Sequence, residues 1–172
     1  APAFVAGIIK RGHEAVLEHC SFTVKFICDR GVSHEIVRHR MASYCQESTR
    51  YCNYSKGGFG EEIAVIKPCF WDEADLKYAV WANLCSKAED TYIDLIRSGA
   101  TPQEARSVLP NSLKTEVVMT ANIREWRHFL KLRCSPAAHP QMREVALILL
   151  EKVHTLISVC FDDIWSEYHE QG

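Results

Sequence analysis

The sequence predicts an α+β fold in one domain. Two stretches, about 72–98 and 140–168, repeat apolar residues at helical spacing, while two short segments, 22–28 and 115–120, carry the β-branched and aromatic bias of strands. No linker-like run, internal repeat or low-complexity tract divides the chain, so both kinds of element are expected to share one core. With 172 residues, 47% apolar and 24% charged, such a core can form without a disulfide or metal staple.

Near the start, Gly12-His13-Glu14-Ala15-Val16-Leu17-Glu18-His19 has the residue types of a metal motif but not its spacing. A zincin needs its second histidine four residues after the first, where Leu17 stands. The inverted form needs one at position 15, where Ala15 stands. These side chains are therefore read as hydrogen-bonding groups around a short helix, and no metal is expected. Segment 22–28 follows as a strand with partial alternation, and Ser33 is expected to cap a helix over 34–41. Gly57-Gly58-Phe59-Gly60 lacks the spacing of a dinucleotide fingerprint and the lysine of a phosphate loop, which leaves a surface turn.

The first long helix is expected over 72–98, capped by Asp72 and ended by Gly99, with Leu76, Val80, Leu84, Ala88, Tyr92 and Leu95 as its stripe. After the 115–120 strand, Asn122 can cap a helix running to about Leu132. The second long helix opens at Pro140, a favoured first-turn residue, and its stripe runs from Met142 through Val145, Ala146, Leu149, Val153, Leu156 and Cys160 to Ile164. Both stripes read as core or subunit interface.

Charge and cysteine usage exclude several classes. A net charge of −2 does not suit a surface built wholly for nucleic acid, although local basic clusters remain. The eight cysteines contain no C-x-x-C pair, so they read as buried, reduced thiols of a cytoplasmic protein and not as zinc ligands. No apolar run is long enough to span a bilayer, and the N-terminus has no basic region leading to a cleavage site.

The chemistry concentrates in two places. Residues 38–54 are almost all hydrogen-bonding, with three arginines, and a core element cannot be so polar without partners. Arginine's planar fork suits phosphate or carboxylate, and the neighbouring hydroxyls and amides suit the edge of a nucleobase or flavin. Cations ending a helix would account for Arg38 and Arg40, but not for the residues after them. The second concentration is 122–143, where Arg124 and His128 lie four apart and share a helical face while Phe129 and Leu132 face elsewhere. Taken alone, that segment reads as a solvated face with Glu125 paired to nearby arginines.

Together these motifs resemble one family. Arg38-His39-Arg40, seven residues, then Ser48 resembles the R-H-R-x7-S signature of the flavin-dependent thymidylate synthases (ThyX). Three further stretches resemble that family in its order: Gly12-His13-Glu14 with Glu18-His19, Ala105-Arg106-Ser107-Val108-Leu109-Pro110, and Asn122-Ile123-Arg124-Glu125 continuing through His128-Phe129-Leu130 to Arg133.

The resemblance implies a mostly antiparallel sheet flanked by helices, and a single catalytic domain over 1–172 that lacks an N-terminal segment of the family. It implies conversion of dUMP to dTMP, with 5,10-methylenetetrahydrofolate as carbon donor, FAD as hydride carrier and NADPH as reductant. A cytoplasmic homotetramer with shared active sites follows, with no nucleic-acid or membrane partner. By position, Arg38, His39, Arg40, Gln46, Asn122, Ile123, Arg124 and His128 would hold FAD. Glu35, Arg38, Gln46, Glu47, Ser48, Thr49, Arg50, Arg106 and Arg133 would line the dUMP site, with 48–50 at the phosphate. Arg133 would favour the ionised N3 form of uracil, with no covalent nucleophile from the enzyme. The chain departs from the family pattern at Cys45-Gln46, at Glu35, where glutamine is common, and at Ala15, which replaces a hydroxyl residue.

Two other readings compete. A cysteine-dependent thymidylate synthase needs a Pro-Cys-His context, and here Phe70 follows Pro68-Cys69. A nucleic-acid module could use Tyr44, Tyr51 and Tyr54 as stacking platforms, which leaves the 122–133 block without a purpose.

Overall fold

The computed structural model describes residues 2–54 and 62–169. They form α1 (Pro2–Lys10), a 3-10 turn (Glu14–His19), β1 (Ser21–Asp29), α2 (Arg30–Ile36) and β2 (Ala42–Gln46). Then come α3 (Leu76–Arg97), α4 (Pro102–Ala105), a 3-10 turn (Arg106–Val108), β3 (Lys114–Asn122), α5 (Ile123–Arg133) and α6 (Pro140–Ile157). A last 3-10 turn (Ser158–Cys160) precedes α7 (Asp162–His169). The strands pair as an antiparallel sheet in the order β1-β3-β2. Central β3 alternates strictly, burying Thr115, Val117, Met119 and Ala121, as a strand with one covered face must. The α+β class is therefore observed.

The residues group into two compact units, the first of Ala1–Phe26, Glu35–Tyr44 and Val118–Gly172, the second of Ile27–His34 and Cys45–Val117. In the first, α5 buries Trp126, Phe129 and Leu130. Phe22 stacks on Trp126 with 4.9 Å between ring centroids, and the indole N–H donates to the Phe22 carbonyl. That bond satisfies the one polar atom of a large buried ring. Asn122 caps α5 as expected, its side chain accepting from the Glu125 N–H at 2.9 Å.

The second long helix is not continuous to 168. It stops at Ile157, and α7 restarts at Asp162. The break turns the Cys160 carbonyl toward the buried Arg127 guanidinium, which also takes Asp163 in a bidentate fork with both contacts at 2.8 Å. Satisfying a buried guanidinium outweighs the helical bonds lost there. Across the same break His154 pairs with Asp162 and stacks on Trp165. Of the anticipated stripe, Met142, Ala146, Leu149, Val153, Cys160 and Ile164 are buried, and Leu156 is exposed.

In the second unit, α3 begins at Leu76, because Asp75 and not Asp72 accepts from the Lys77 N–H. Of its expected stripe only Tyr92 is buried, Ala88 and Leu95 are half-buried, and Leu76, Val80 and Leu84 are exposed, while Cys85 and Ile93 beside the stripe are buried. Tyr92 and Ile93 join Tyr54, Ile63, Ala105 and Leu113 in this unit's core. Gly99 closes the helix at φ +96°, a conformation that side-chain-bearing residues resist. Helix α2 also starts earlier than Ser33 suggests. Asp29 Oδ1 accepts from the Val32 N–H at 2.7 Å, and Ser33 sits inside the helix donating back to the Arg30 carbonyl. The glycine turn expected at 57–60 lies outside the described residues.

Candidate active site

The first unit gathers Glu35, His39 and Arg133 around one guanidinium. Tyr44 closes its hydroxyl on the carbonyls of Ile36 (3.0 Å) and His39 (2.6 Å), which fixes the turn after α2. From the end of α5, Arg133 donates through Nε to His39 Nε2 at 3.1 Å, through Nη1 to Glu35 Oε2 at 2.6 Å, and through Nη2 to the Glu35 carbonyl at 2.9 Å. Guanidinium nitrogens can only donate, so His39 Nε2 must be the acceptor and the ring proton must sit on Nδ1, 3.2 Å from Glu125 Oε1. Burial, the Arg133 charge and His128 together depress the His39 pKa to about 4, so the ring is neutral near pH 7. Burial raises the Glu125 carboxyl, against a smaller downward pull from His128.

His39, Glu125 and His128 bring three possible metal-ligand atoms within 4.8 Å of one another. With Nε2 accepting from Arg133 and Nδ1 donating to Glu125, His39 has no lone pair left for a cation.

Beside this cluster opens a recess of about 420 Å³, in which Asn122, Arg124, His128 and Lys131 face the carboxyl groups of Glu14, Glu18 and Glu125. Arg124 is half exposed and its Nη1 donates to Glu18 at 2.5 Å. Asn122 spends its oxygen on the helix cap and keeps its amide donors, and His128 is exposed. The donor set suits phosphate oxygens and the polar edge of a planar ring. Ile123 behaves differently: its side chain is buried and its N–H goes to the Cys20 carbonyl. Arg38 and Arg40 are exposed.

In the second unit the amide of Gln46 donates to Ser33 Oγ at 2.9 Å and lies 3.5 Å from Thr115 Oγ1. Glu47 pairs with Lys114, and Cys52 donates its thiol to it. Ser48 builds a tight turn. Its carbonyl accepts from the Tyr51 and Cys52 N–H groups, and its hydroxyl lies 3.4 Å from the Arg50 nitrogen. Thr49 is buried in that turn, whereas Arg50 and Arg106 are exposed.

Comparison with known proteins decides the family. The sequence profile of the thymidylate synthase complementing protein family matches residues 1–157. The chain belongs to that family.

Proteins named flavin-dependent thymidylate synthase resemble it from distant organisms. One from Geobacter sulfurreducens is 35% identical over 162 residues, 94% of this chain and 68% of its own length. One from Pyrococcus furiosus is 37% identical over 147 residues, 85% of this chain and 59% of its own. One from Mycobacterium tuberculosis is 33% identical over 175 residues, 93% of this chain and 68% of its own. The chain thus spans about three fifths to two thirds of these relatives.

For a member of the thymidylate synthase complementing protein family, the nucleic-acid reading keeps one of its three aromatics: Tyr54 is buried in the second unit's core and Tyr44 is tied to backbone carbonyls, whereas Tyr51 is exposed beside Arg50. No cysteine is in a disulfide, and only Cys28, Cys85, Cys134 and Cys160 are fully buried, fewer than the composition led us to expect. Burial pushes the Cys28 and Cys134 thiols up to about 12, far from a reactive thiolate.

Sequence reasoning missed Glu125 as a partner of His39 and missed Arg127 altogether. Arg127 is almost wholly buried and binds Glu14 as well as Asp163 and the Cys160 carbonyl. Its signal was an arginine placed between Trp126 and the Phe129-Leu130 pair, inside an apolar helical stripe.

The neutral His39 gives the fold a pH dependence. Between its ordinary value of 6.5 and about 4, the unfolded chain takes up a proton at this ring that the folded chain refuses. Stability should therefore rise with pH across that window and be lost on acidification, by at most about 1.4 kcal/mol per pH unit. The raised Glu125 carboxyl works in the opposite sense, so comparison with His39→Gln isolates the histidine's part. Urea midpoints over this range should fall less steeply in the variant; parallel profiles would show that His39 does not titrate as argued.

Proposed function

We propose that this chain is a flavin-dependent thymidylate synthase that reductively methylates dUMP to dTMP. The one-carbon unit comes from 5,10-methylenetetrahydrofolate, and the reducing equivalents come from NADPH through FAD. The observation that carries the reading is the held guanidinium of Arg133. It is anchored on three nitrogens, with one N–H left on each Nη, at the position that the family resemblance sets against the pyrimidine. Family membership and the relatives' names support it. The working unit is a cytoplasmic homotetramer in which residues 1–172 form one catalytic domain.

The recess of the first unit offers FAD the donors Arg124, His128, Lys131 and the Asn122 amide, and His39 packs beside His128. Arg38 and Arg40 are the further cations proposed for the flavin, and Gln46 is assigned to it by the resemblance alone, whereas the Ile123 N–H is already spent on the Cys20 carbonyl. FAD, when bound, supplies the hydride that converts the transferred methylene into a methyl group. The protein orients and polarises. Arg133 stabilises negative charge on the pyrimidine as C5 attacks, and Glu35 and His39 keep its fork in place so that no reorganisation is needed at that moment. Ser48 and Arg50 meet the nucleotide phosphate, with Thr49 shaping their turn, and Arg38, Gln46, Glu47 and Arg106 line the rest of the site.

The purified protein, mixed with FAD and desalted, should retain a flavin spectrum and then bind dUMP. Arg50→Ala should remove charge-assisted hydrogen bonds of ~1.5 to 3 kcal/mol each and weaken dUMP at least about tenfold. An unchanged dissociation constant in the folded variant would sink the phosphate assignment.

A further inference from the structure

His39 lies between Arg133 and Glu125 in a closed slot. Its side chain is 3% exposed, and its ring centroid lies 5.6 Å from that of His128 and 4.7 Å from that of Phe129. A ring so enclosed must serve the partners it faces, because water cannot replace them. Nε2 faces a guanidinium, which can only donate, and Nδ1 lies 3.2 Å from the Glu125 carboxyl. The other neutral tautomer would set two N–H groups against each other at 3.1 Å and turn a lone pair toward the carboxylate. Both contacts would be lost together. Glu125 is itself placed, 12% exposed at its side chain and with its N–H taken by the Asn122 cap at 2.9 Å. On the other side of the ring, Glu35 anchors Arg133 through Nη1 and Nη2. The fork can pivot about those two contacts unless Nε is held as well.

We propose that Glu125 is a positioning residue for Arg133: by holding the His39 proton on Nδ1 it keeps Nε2 as the acceptor that fixes the plane of the guanidinium. The inference rests on the reading of Arg133 as the group set against the pyrimidine. Glu125 acts through His39 and not on the nucleotide. Of the ring's two partners, the carboxylate is the one that decides the tautomer, since it can only accept, whereas Arg133 keeps its two anchors on Glu35 whichever nitrogen carries the proton. The buried row from the Asn122 cap through Glu125 and His39 to Arg133 Nε then sets the fork before any ligand arrives.

The test reads the tautomer itself, on the flavin-loaded chain at mildly alkaline pH. Nitrogen-15 shifts of labelled histidine separate a ring protonated at Nδ1 from one protonated at Nε2, and the signal missing from His39→Gln identifies His39. The wild type should show the Nδ1–H form. Glu125→Gln keeps an acceptor oxygen and the side-chain volume, so it should retain that form and stay near the wild-type rate of single-turnover methyl transfer with prereduced flavin. Glu125→Met keeps the length but removes the acceptor. An Nε2–H population should appear in it, and the transfer should slow about tenfold, the scale of one hydrogen bond to a charged group. Arg133→Ala should keep Nδ1–H, because the carboxylate makes the choice; this variant leaves Glu125 in place and gives a reading even if Glu125→Met fails to fold. An unchanged tautomer in Glu125→Met, or an Nε2–H ring in the wild type or in Arg133→Ala, would overturn the proposal. Native-rate transfer in Glu125→Met despite a switched tautomer would also overturn it, and would leave the site reading intact. If the flavin-loaded wild type transferred no methyl group to dUMP while the tautomers behaved as expected, the site reading would fall and the positioning role with it.

Discussion

Arg133→Ala should slow methyl transfer to dUMP by about a hundredfold or more while the protein still takes up flavin. Removing one preorganised electrostatic group from a developing charge costs ~2.7 to 4 kcal/mol in comparable sites. On the role proposed for Arg133, the loss should fall on the chemical step, since such an interaction strengthens as negative charge grows on the pyrimidine. Arg133→Lys keeps the charge but cannot reach His39 and both Glu35 oxygens with a planar fork, so it should bind dUMP better than the alanine variant and still react slowly. Single-turnover transfer with prereduced flavin isolates this step from NADPH oxidation. Transfer at the native rate by Arg133→Ala, with only weaker dUMP binding, would reduce Arg133 to an anchor.

The largest effect on stability is expected at Arg127. Its guanidinium is 1% exposed and holds Glu14, Asp163 and the Cys160 carbonyl. Deleting one partner of a buried charged network leaves the rest uncompensated, at about 3–5 kcal/mol. Arg127→Ala should lower the melting temperature by roughly 10 °C for a chain of this size. Asp163→Asn should cost much less, since that side chain is 44% exposed and water can replace its contacts. Equal losses in the two variants would show that the network is not organised around Arg127.

How far the structure was legible depended on whether local chemistry or tertiary partners decided each element. Asn122 was readable because a cap is a local event, and β3 because its 115–120 segment has the β-branched content of a central strand. Strand β2 was not, since Ala42-Ser43-Tyr44-Cys45-Gln46 has little strand propensity and forms by pairing with β3 at the sheet's edge. Periodicity carried 140–168 through as one helix because its apolar spacing does persist to Ile164. The interruption is set by Arg127, thirty-three residues before the Cys160 carbonyl it binds. Asp29 took the cap from Ser33 for a related reason: both residue types can cap, and only the end of β1 decides which one is extended.

The site shows the same division. Its proposed members come from spaced motifs, whereas the pairing among them does not. Nothing in Arg38-His39-Arg40 indicates that the histidine is buried and neutral, that its Nε2 receives Arg133, or that Glu35 faces the same guanidinium. Those contacts arise where the turn after α2 meets the end of α5, ninety-four residues apart for His39 and Arg133.

The central claim is the transfer of a one-carbon unit to dUMP, and the direct measurement follows that carbon. The full chain is loaded with FAD, reduced anaerobically, and given dUMP with 5,10-methylenetetrahydrofolate labelled at the methylene. Labelled dTMP should form in the flavin-loaded wild type, should require the flavin, and should be nearly lost in Arg133→Ala. Flavin-loaded protein that binds dUMP yet forms no labelled dTMP would contradict the account.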